Sequence, residues 1–276
     1  PEHALFLTRS SADSNLGVYT QEIPLLTQCA LTPVMEGFKT GNGIGYSAYP
    51  DFQAFMGELA DAKHEEVLVD HFLPLVDGGN IVKRLAKGIR VCDLGCGQGV
   101  ALQLMADAFP ASEFVGIDNH EPAILAAKAE AQRRGLENIR FDCMDAARIE
   151  GRKAFESQFD YITAFDAIHD QSHPLAALTS VAYMLADKGI FSMVDIDAQS
   201  DVASNMEHPM GPFLYTVSLM HCMPVGLAED GAGLGMMWGR RKAVDLLEKA
   251  GFSQVEVCEM AHDPFNVHYQ CRRSAP

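Results

Sequence analysis

Three closely spaced glycines lie between two carboxylates near the middle of the chain. Gly95, Gly97 and Gly99 follow an apolar run that contains Asp93, and Asp118 comes 19 residues after the last glycine. Glycine is needed where a backbone turns sharply and approaches a ligand closely, and a helix that begins there directs backbone N–H groups at the ligand. An acidic side chain at the end of the next strand can accept hydrogen bonds from both ribose hydroxyls. The pattern therefore predicts a nucleoside-binding turn.

The glycine spacing distinguishes this turn from one that binds a dinucleotide. A dinucleotide turn reads G-x-G-x-x-G, and Gly99 comes one residue too early for that pattern. The Asp93 carboxylate would repel a pyrophosphate, whereas it suits a ligand with an ammonium and a sulfonium group. Those are the charges of S-adenosylmethionine. A tight turn without any ligand is the less favoured alternative, because a strand, a turn, a helix and Asp118 occur together.

The elements around this turn alternate between short apolar strands and helices. The predicted strands cover residues 90–94, 113–118, 139–143, 159–164, 190–196, 255–258 and 266–271. Such alternation predicts an α/β fold with a doubly wound, Rossmann-like sheet of seven strands and helices on both faces. Residues 1–78 are predicted to form an N-terminal helical cap, and residues 79–276 the cofactor-binding domain. Residues 197–239 are too many for a βα loop, so we expect an inserted lid there.

The overall composition excludes several classes of function. Lys and Arg number 21 against 37 Asp and Glu, which gives a formal net charge of −16 and disfavours nucleic acids and anionic membranes as partners. The seven cysteines form no CxxC pair, which predicts reduced thiols and no structural zinc site. The chain contains no apolar run of membrane-spanning length, and its first residues lack a secretion signal. We therefore expect a cytoplasmic protein.

Residues 93–99, D-L-G-C-G-Q-G, resemble the first motif of class I S-adenosylmethionine-dependent methyltransferases. The resemblance extends over nearly the whole chain. Four further stretches are similar to one largely uncharacterised subfamily: residues 45–50, 165–171, 211–216 and 233–239. Members of that subfamily usually carry a winged-helix-like N-terminal domain, and we expect it to be absent here or reduced to residues 1–17. A homodimer formed through that domain is therefore left open.

The resemblance implies a role for each residue that matches the family pattern. Asp93, Gly95 and Gly97 would line the methionine half of S-adenosylmethionine, and Asp118 would bind its ribose. The other implied positions are Asn119 beside the adenine or ribose, Asp145 and Ala146 flanking the adenine, and Phe165 and Asp166 near the sulfonium. Nothing in the family pattern identifies the methyl acceptor, which we expect to be a small molecule.

Methyl transfer requires that the acceptor be held in line with an activated methyl group, in a site from which water is excluded. A general base is needed only when the acceptor carries a proton of high pKa. His169 is the leading candidate for that base, because it follows the fourth strand at the ligand-binding edge of the sheet. We expect Tyr46 and Tyr215 to enclose, together with His169, a mostly apolar acceptor chamber. Packing of the cap is an equally favoured role for Tyr46.

Other interpretations of these residues stay open. Three further histidines are weaker candidates for the base: His173, His208 and His221. His169, Asp170 and His173 superficially suggest a metal site, but Pro174 begins the next helix and no third ligand is evident. No metal is therefore expected, and metal-dependent catechol methylation is a minor alternative. A non-catalytic S-adenosylmethionine-binding regulatory module is the main rival, and a nicotinamide-dependent dehydrogenase is opposed by the glycine spacing and Asp93.

Overall fold

The computed structural model describes residues 19–50 and 52–273, so the expectation for residues 1–17 lies outside the described chain. The α-helices of this part are α1 (Tyr19–Thr40), α2 (Phe52–His64), α3 (Asn80–Lys87), α4 (Val100–Ala108), α5 (Glu121–Arg134), α6 (Pro174–Met184), α7 (Gly211–Val217), α8 (Met223–Gly226) and α9 (Gly239–Lys249). The strands are β1 (Arg90–Leu94), β2 (Glu113–Asp118), β3 (Ile139–Cys143), β4 (Phe159–Phe165), β5 (Leu185–Ile196), β6 (Phe252–Glu259) and β7 (Asn266–Arg273).

The strands form one seven-stranded sheet in the order β3-β2-β1-β4-β5-β7-β6. Strands β1 to β5 pair in parallel, and β7 runs antiparallel to both β5 and β6. The predicted Rossmann-like α/β fold is confirmed. The strand order reverses between β1 and β4, and open α/β sheets bind ligands at the carboxyl ends of the strands beside such a reversal.

Helices cover both faces of the sheet. Ile81 of α3, Leu102 of α4 and Ile124 of α5 are buried in the core on one face. On the other face, Leu178 of α6 and Leu247 of α9 are fully buried. The described helices include none that is both long enough and apolar enough to cross a membrane.

The sequence of α5 explains how such a helix is bounded and docked. Pro122 occupies its first turn, where the N–H that proline lacks would have no helical partner. Ala123, Ala127 and Ala131 recur every four residues and are all buried, so the small side chains lie on one helix face. Gly135 then takes a left-handed conformation, with φ of 70°, that ends the helix.

A separate apolar cluster joins the N-terminal helices to the insertion. Leu26 of α1 and Phe52 of α2 pack in one cluster with Val217 of α7. The buried Tyr49 hydroxyl donates a hydrogen bond of 2.9 Å to the carbonyl oxygen of Met220. The N-terminal segment and the insertion are thus packed against each other.

The structure refines two features of the N-terminal segment. Apolar residues recur at three- and four-residue intervals from Ile23 to Phe38 and predict one helix, but Phe38 is 76% exposed. It follows Leu26 by 12 residues, which at about 100° per residue turns it roughly 120° away from Leu26. The apolar pattern from about residue 51 to 75 predicts a second helical region, which the structure divides into α2, a π-helix (Leu68–Phe72) and a 3-10 segment (Leu73–Gly79).

Candidate functional site

A cavity of about 370 Å³ lies where the ends of β1, β2 and β4 meet the cap. Its volume is within the range of small-molecule sites. The predicted residues that border it are Tyr46, Asp93, Gly95, Gly97, Asp118, Asn119, Ala146, Phe165 and Asp166. The fold therefore brings residues that are far apart in sequence to one cavity.

The glycine turn borders this cavity through Gly95 and Gly97. Gly95, Gly97 and Gly99 have φ of 70°, 52° and 75°, which non-glycine residues rarely adopt. A Cβ on Gly95 would lie 2.5 Å from the Cβ of Ala167, and one on Gly99 would lie 2.4 Å from the Phe141 ring. A Cβ on Gly97 would meet nothing within 4 Å. The outer glycines are therefore needed for packing, and Gly97 leaves space on the cavity side.

Asp93 provides a buried carboxylate at the cavity. Asp93 is only 3% exposed, and its Oδ1 accepts a hydrogen bond of 2.7 Å from the Thr163 hydroxyl. Burial raises the pKa of Asp93 to about 7, the Thr163 hydrogen bond lowers it, and the charge of Asp118 raises it. A carboxylate whose ionised form is disfavoured by burial is stabilised by a nearby cation. This position therefore favours a positively charged ligand group.

Asp118 is fixed by two backbone hydrogen bonds. Its Oδ2 accepts from the N–H of Gly97 at 2.9 Å, and its Oδ1 accepts from the N–H of His120 at 2.8 Å. Burial raises the pKa of Asp118, whereas these backbone bonds lower it. Each carboxylate oxygen has a second lone pair, so Asp118 can still accept hydrogen bonds from a diol in the cavity.

Asp145 does not border the cavity, although Met144 and Ala146 on either side of it do. Its carboxylate accepts a hydrogen bond of 2.9 Å from the N–H of Ala147 and lies 3.0 Å from Arg148. The expected contact of the Asp145 side chain with adenine is therefore not supported, because the side chain is turned back to cap its own helical turn.

His169 lies behind the cavity wall and does not border the cavity itself. Its Nδ1 is 2.7 Å from Oδ1 of Asp195, and its Nε2 is 3.4 Å from Oδ1 of Asp170. Burial lowers the pKa of His169, but the two carboxylates outweigh this effect and raise it well above the ordinary value. Because His169 is buried and does not border the cavity, it cannot contact an acceptor bound there, and the expectation that it is the general base is corrected.

Tyr215 is also absent from the cavity wall. Its hydroxyl accepts a hydrogen bond of 3.0 Å from Nδ2 of Asn205, and its ring packs against the apolar cluster of Leu214 and Met237. The insertion folds on itself at this point, so the expected contribution of Tyr215 to an acceptor chamber is corrected as well.

Two polar residues border the cavity beside Tyr46, namely Asp170 and His221. Sequence reasoning ranked His221 only as a weaker candidate for the base and discounted Asp170 as part of a metal site, so it did not predict their place beside Tyr46. The His221 ring is buried, with its centroid 4.6 Å from the centroid of Phe52 and 5.0 Å from that of Tyr49. Burial lowers the pKa of His221. His221 belongs to a π-helix (Ser218–Cys222), a rare local widening that apolar periodicity does not reveal. The sequence feature that could have placed Asp170 at the cavity is its position directly after His169, close to the ligand-binding edge of the sheet.

The chain is similar in sequence to known methyltransferases. The family described as Methyltransferase domain matches residues 85–222, half of the 276 residues. A tRNA (guanine-N(7)-)-methyltransferase of Methylococcus capsulatus is 34% identical over 107 residues, 36% of this chain and 46% of that protein. One from Edwardsiella ictaluri is 29% identical over 111 residues, 37% of this chain and 47% of that protein. The chain spans less than half the length of these relatives.

Solved structures resemble the chain over nearly its whole length. A putative O-methyltransferase from Nostoc punctiforme has a TM-score of 0.73 at 16% identity, covering 99% of this chain and 77% of that one. Human N-acetylserotonin methyltransferase, solved in complex with SAM, has a TM-score of 0.64 at 15% identity, covering 98% and 73%. At such identities the likeness shows the fold alone. With the family match and the glycine turn, it establishes that the chain belongs to the methyltransferase-domain family and has the class I fold of S-adenosylmethionine-dependent methyltransferases.

Proposed function

We propose that this protein transfers the methyl group of S-adenosylmethionine to a small molecule bound in the cavity. The observation that carries the proposal is that three elements of the chain border one cavity together with the glycine turn. Tyr46 precedes α2, Leu59 lies within α2, and Val225 belongs to the insertion, and all three border the cavity. A cavity of about 370 Å³ between these elements suits a small acceptor, whereas a folded RNA needs a wide groove.

The relatives named as tRNA methyltransferases give weaker support for an RNA acceptor. They match 36% and 37% of the chain, so nearly two thirds of the chain lies outside each match. The formal net charge of −16 opposes binding of a polyanion. A small acceptor is therefore favoured over tRNA.

The residues around the cavity fit S-adenosylmethionine. Asp93 suits its ammonium group, and Asp118 suits its ribose hydroxyls. Ala146 borders the part of the cavity next to β3 where the adenine would lie, and Phe165 and Asp166 border the part next to β4. When bound, S-adenosylmethionine supplies a methyl group activated by a positively charged sulfur.

The wall formed by Tyr46, Asp170 and His221 is suited to hold the acceptor. Burial and the neighbouring Asp170 carboxylate raise the pKa of Tyr46 well above its ordinary value, so its hydroxyl stays protonated and can donate a hydrogen bond. Asp170 can accept one. A donor beside an acceptor suits a hydroxyl or an amine, and correct orientation alone supplies about 7–11 kcal/mol toward the barrier.

We also propose that the helices before residue 79 and the insertion of residues 197–239 act together as a lid. Ile44 donates a backbone hydrogen bond of 2.8 Å to the carbonyl oxygen of Pro224. A Cβ on Gly43 would lie 2.1 Å from the backbone nitrogen of Ala228. The two parts therefore approach each other as closely as backbones can, which supports joint exclusion of water from the site.

The acceptor class can be tested with S-adenosylmethionine that carries an isotopic label in its methyl group. We expect label to appear in members of a panel of phenols, amines and carboxylic acids, and not in bulk tRNA. Transfer to tRNA alone would contradict a small acceptor. Binding of the cofactor without transfer to any acceptor would favour the regulatory module instead.

A further inference from the structure

Three side chains with metal-binding atoms converge at the acceptor wall, two of them on the side away from the cavity. The ligand atoms of His169, Asp170 and Cys222 all lie within 4.8 Å of one another. The His169 and Asp170 side chains are only 2% and 11% exposed, and Cys222 is 3% exposed. A nitrogen, an oxygen and a sulfur donor thus share one shielded place.

We infer that His169, Asp170 and Cys222 form a binding site for a divalent transition-metal ion of the zinc type. Zinc accepts these three donor types, and its bonds of about 2.0–2.3 Å place tetrahedral ligand atoms roughly 3.3–3.8 Å apart. The Nε2 of His169 is already 3.4 Å from the Oδ1 of Asp170. Ligand atoms that lie as much as 4.8 Å apart must approach one another by about 1 Å to bind one ion, and side-chain rotation can provide this movement.

Asp195 orients His169 in the way that metal ligands are usually oriented. Its Oδ1 lies 2.7 Å from Nδ1 of His169 and also accepts a hydrogen bond of 2.8 Å from the N–H of Ile196. A metal-bound histidine generally donates its other ring N–H to a carboxylate. The contact with Asp195 holds Nδ1 of His169, and the opposite ring nitrogen, Nε2, therefore faces Asp170.

One atom of this cluster lacks a hydrogen bond. Oδ1 of Asp170 is buried and has no hydrogen-bond partner, its nearest charged neighbour being Nε2 of His169 at 3.4 Å, and buried atoms of this kind are rare in folded proteins. The His221 side chain is 4% exposed, and its Nδ1 lies 3.7 Å from Oδ2 of Asp170 and 3.6 Å from Sγ of Cys222. A metal ion would bind Oδ1 of Asp170, and His221 stands beside two of the three ligands.

The ion would bind a neutral imidazole, a thiolate and a carboxylate. The thiol proton of Cys222, and any proton carried by Nε2 of His169, would leave to solvent as the bonds to the ion form, and no oxidation occurs. Metal binding should therefore release protons and tighten as pH rises.

Three protein ligands would leave one tetrahedral position open. Catalytic zinc sites keep such a position for water or substrate, and Asp170 is the ligand that borders the cavity. An acceptor thiol or hydroxyl could bind there and lose its proton more readily. This last step rests on the proposed methyl transfer, whereas the metal site itself does not.

The test uses the full chain, freed of metal and titrated with Co²⁺ under reducing conditions. We expect one equivalent to bind with a thiolate-to-cobalt charge-transfer band, and Zn²⁺ to displace it. Cys222→Ser should abolish the band, and Asp195→Asn should weaken the affinity by about 10–100-fold. The matched control is Cys258→Ser on β6, which should keep the band.

Absence of a thiolate band in the wild-type protein would overturn the inference, as would equal binding by Cys222→Ser. S-adenosylhomocysteine binding is measured on each variant to show that the cofactor site, and hence the fold, is intact. Metal binding without cofactor binding would refute the proposed function alone. Cofactor binding without a metal band would refute the metal site alone.

Discussion

Replacing Asp93 by Asn should stabilise the ligand-free protein and weaken cofactor binding. The carboxylate is 3% exposed, and burial raises its pKa from 3.8 to about 7. Each tenfold change in proton affinity is worth about 1.36 kcal/mol, so keeping the folded carboxylate ionised costs ~4 kcal/mol by that relation. The folded state binds this proton more tightly than the unfolded state. The contribution of Asp93 to stability therefore falls as pH rises from about 4 to about 7 and is constant above that.

At about pH 8, Asp93→Asn removes this cost, and an amide oxygen can still accept the hydrogen bond from Thr163. We expect the free energy of unfolding to rise by roughly 1–4 kcal/mol there and to change little near pH 4. Loss of the charged contact to the ligand ammonium, worth about 1.5–3 kcal/mol, should weaken binding about 10–150-fold. Wild-type affinity should increase about tenfold per pH unit up to pH 7, and the variant should lack this dependence.

Urea unfolding and isothermal titration with S-adenosylhomocysteine at about pH 5 and pH 8 measure both effects. Asp245→Asn, on an exposed position of α9, is the control and should change stability by less than about 0.5 kcal/mol. A variant that is less stable at pH 8, or that binds the ligand as tightly as the wild type, would refute the assignment of Asp93 as the ammonium site.

Five other substitutions, two of them as matched partners, test the remaining parts of the site. Gly97→Ala and Gly135→Ala both place a Cβ in open space at positive φ and should each lower stability by about 1–2 kcal/mol. Only Gly97→Ala should abolish S-adenosylhomocysteine binding in calorimetry. Loss of binding in both variants would argue against a ligand at the turn. Tyr215→Phe should lower stability by about 1 kcal/mol and leave methyl transfer unchanged. Tyr46→Phe should leave cofactor affinity unchanged and lower kcat/KM for the acceptor about 5–10-fold. Equal kcat/KM values for the two variants would contradict the acceptor wall. Gly43→Ala should lower the free energy of unfolding by about 1–3 kcal/mol because its Cβ meets the backbone of the insertion, and an unchanged urea midpoint would refute that close contact.

The sheet and the glycine turn are predictable because their signals are local. Strand β1, the turn and strand β2 follow one another within thirty residues, and each is specified by its own apolar run or glycine spacing. Asp93 and Asp118 lie on these strands, so their meeting at one cavity follows once the strands are paired in parallel.

The orientation of polar side chains is not predictable in this way, because distant residues decide it. His169 is turned from the cavity by Asp195, 26 residues later in the chain. Tyr215 is held by Asn205 inside the insertion. His221, in the π-helix (Ser218–Cys222), packs against Phe52 of the N-terminal segment, and no apolar repeat within residues 197–239 indicates that contact.

The most direct test of the cofactor site is a crystal structure of the protein with S-adenosylmethionine or its demethylated product. The ammonium should lie within hydrogen-bond distance of the Asp93 carboxylate, and the ribose hydroxyls should bind Asp118 above Gly97. Crystals that leave this cavity vacant at saturating ligand, or that hold the nucleoside at another surface, would contradict the assignment.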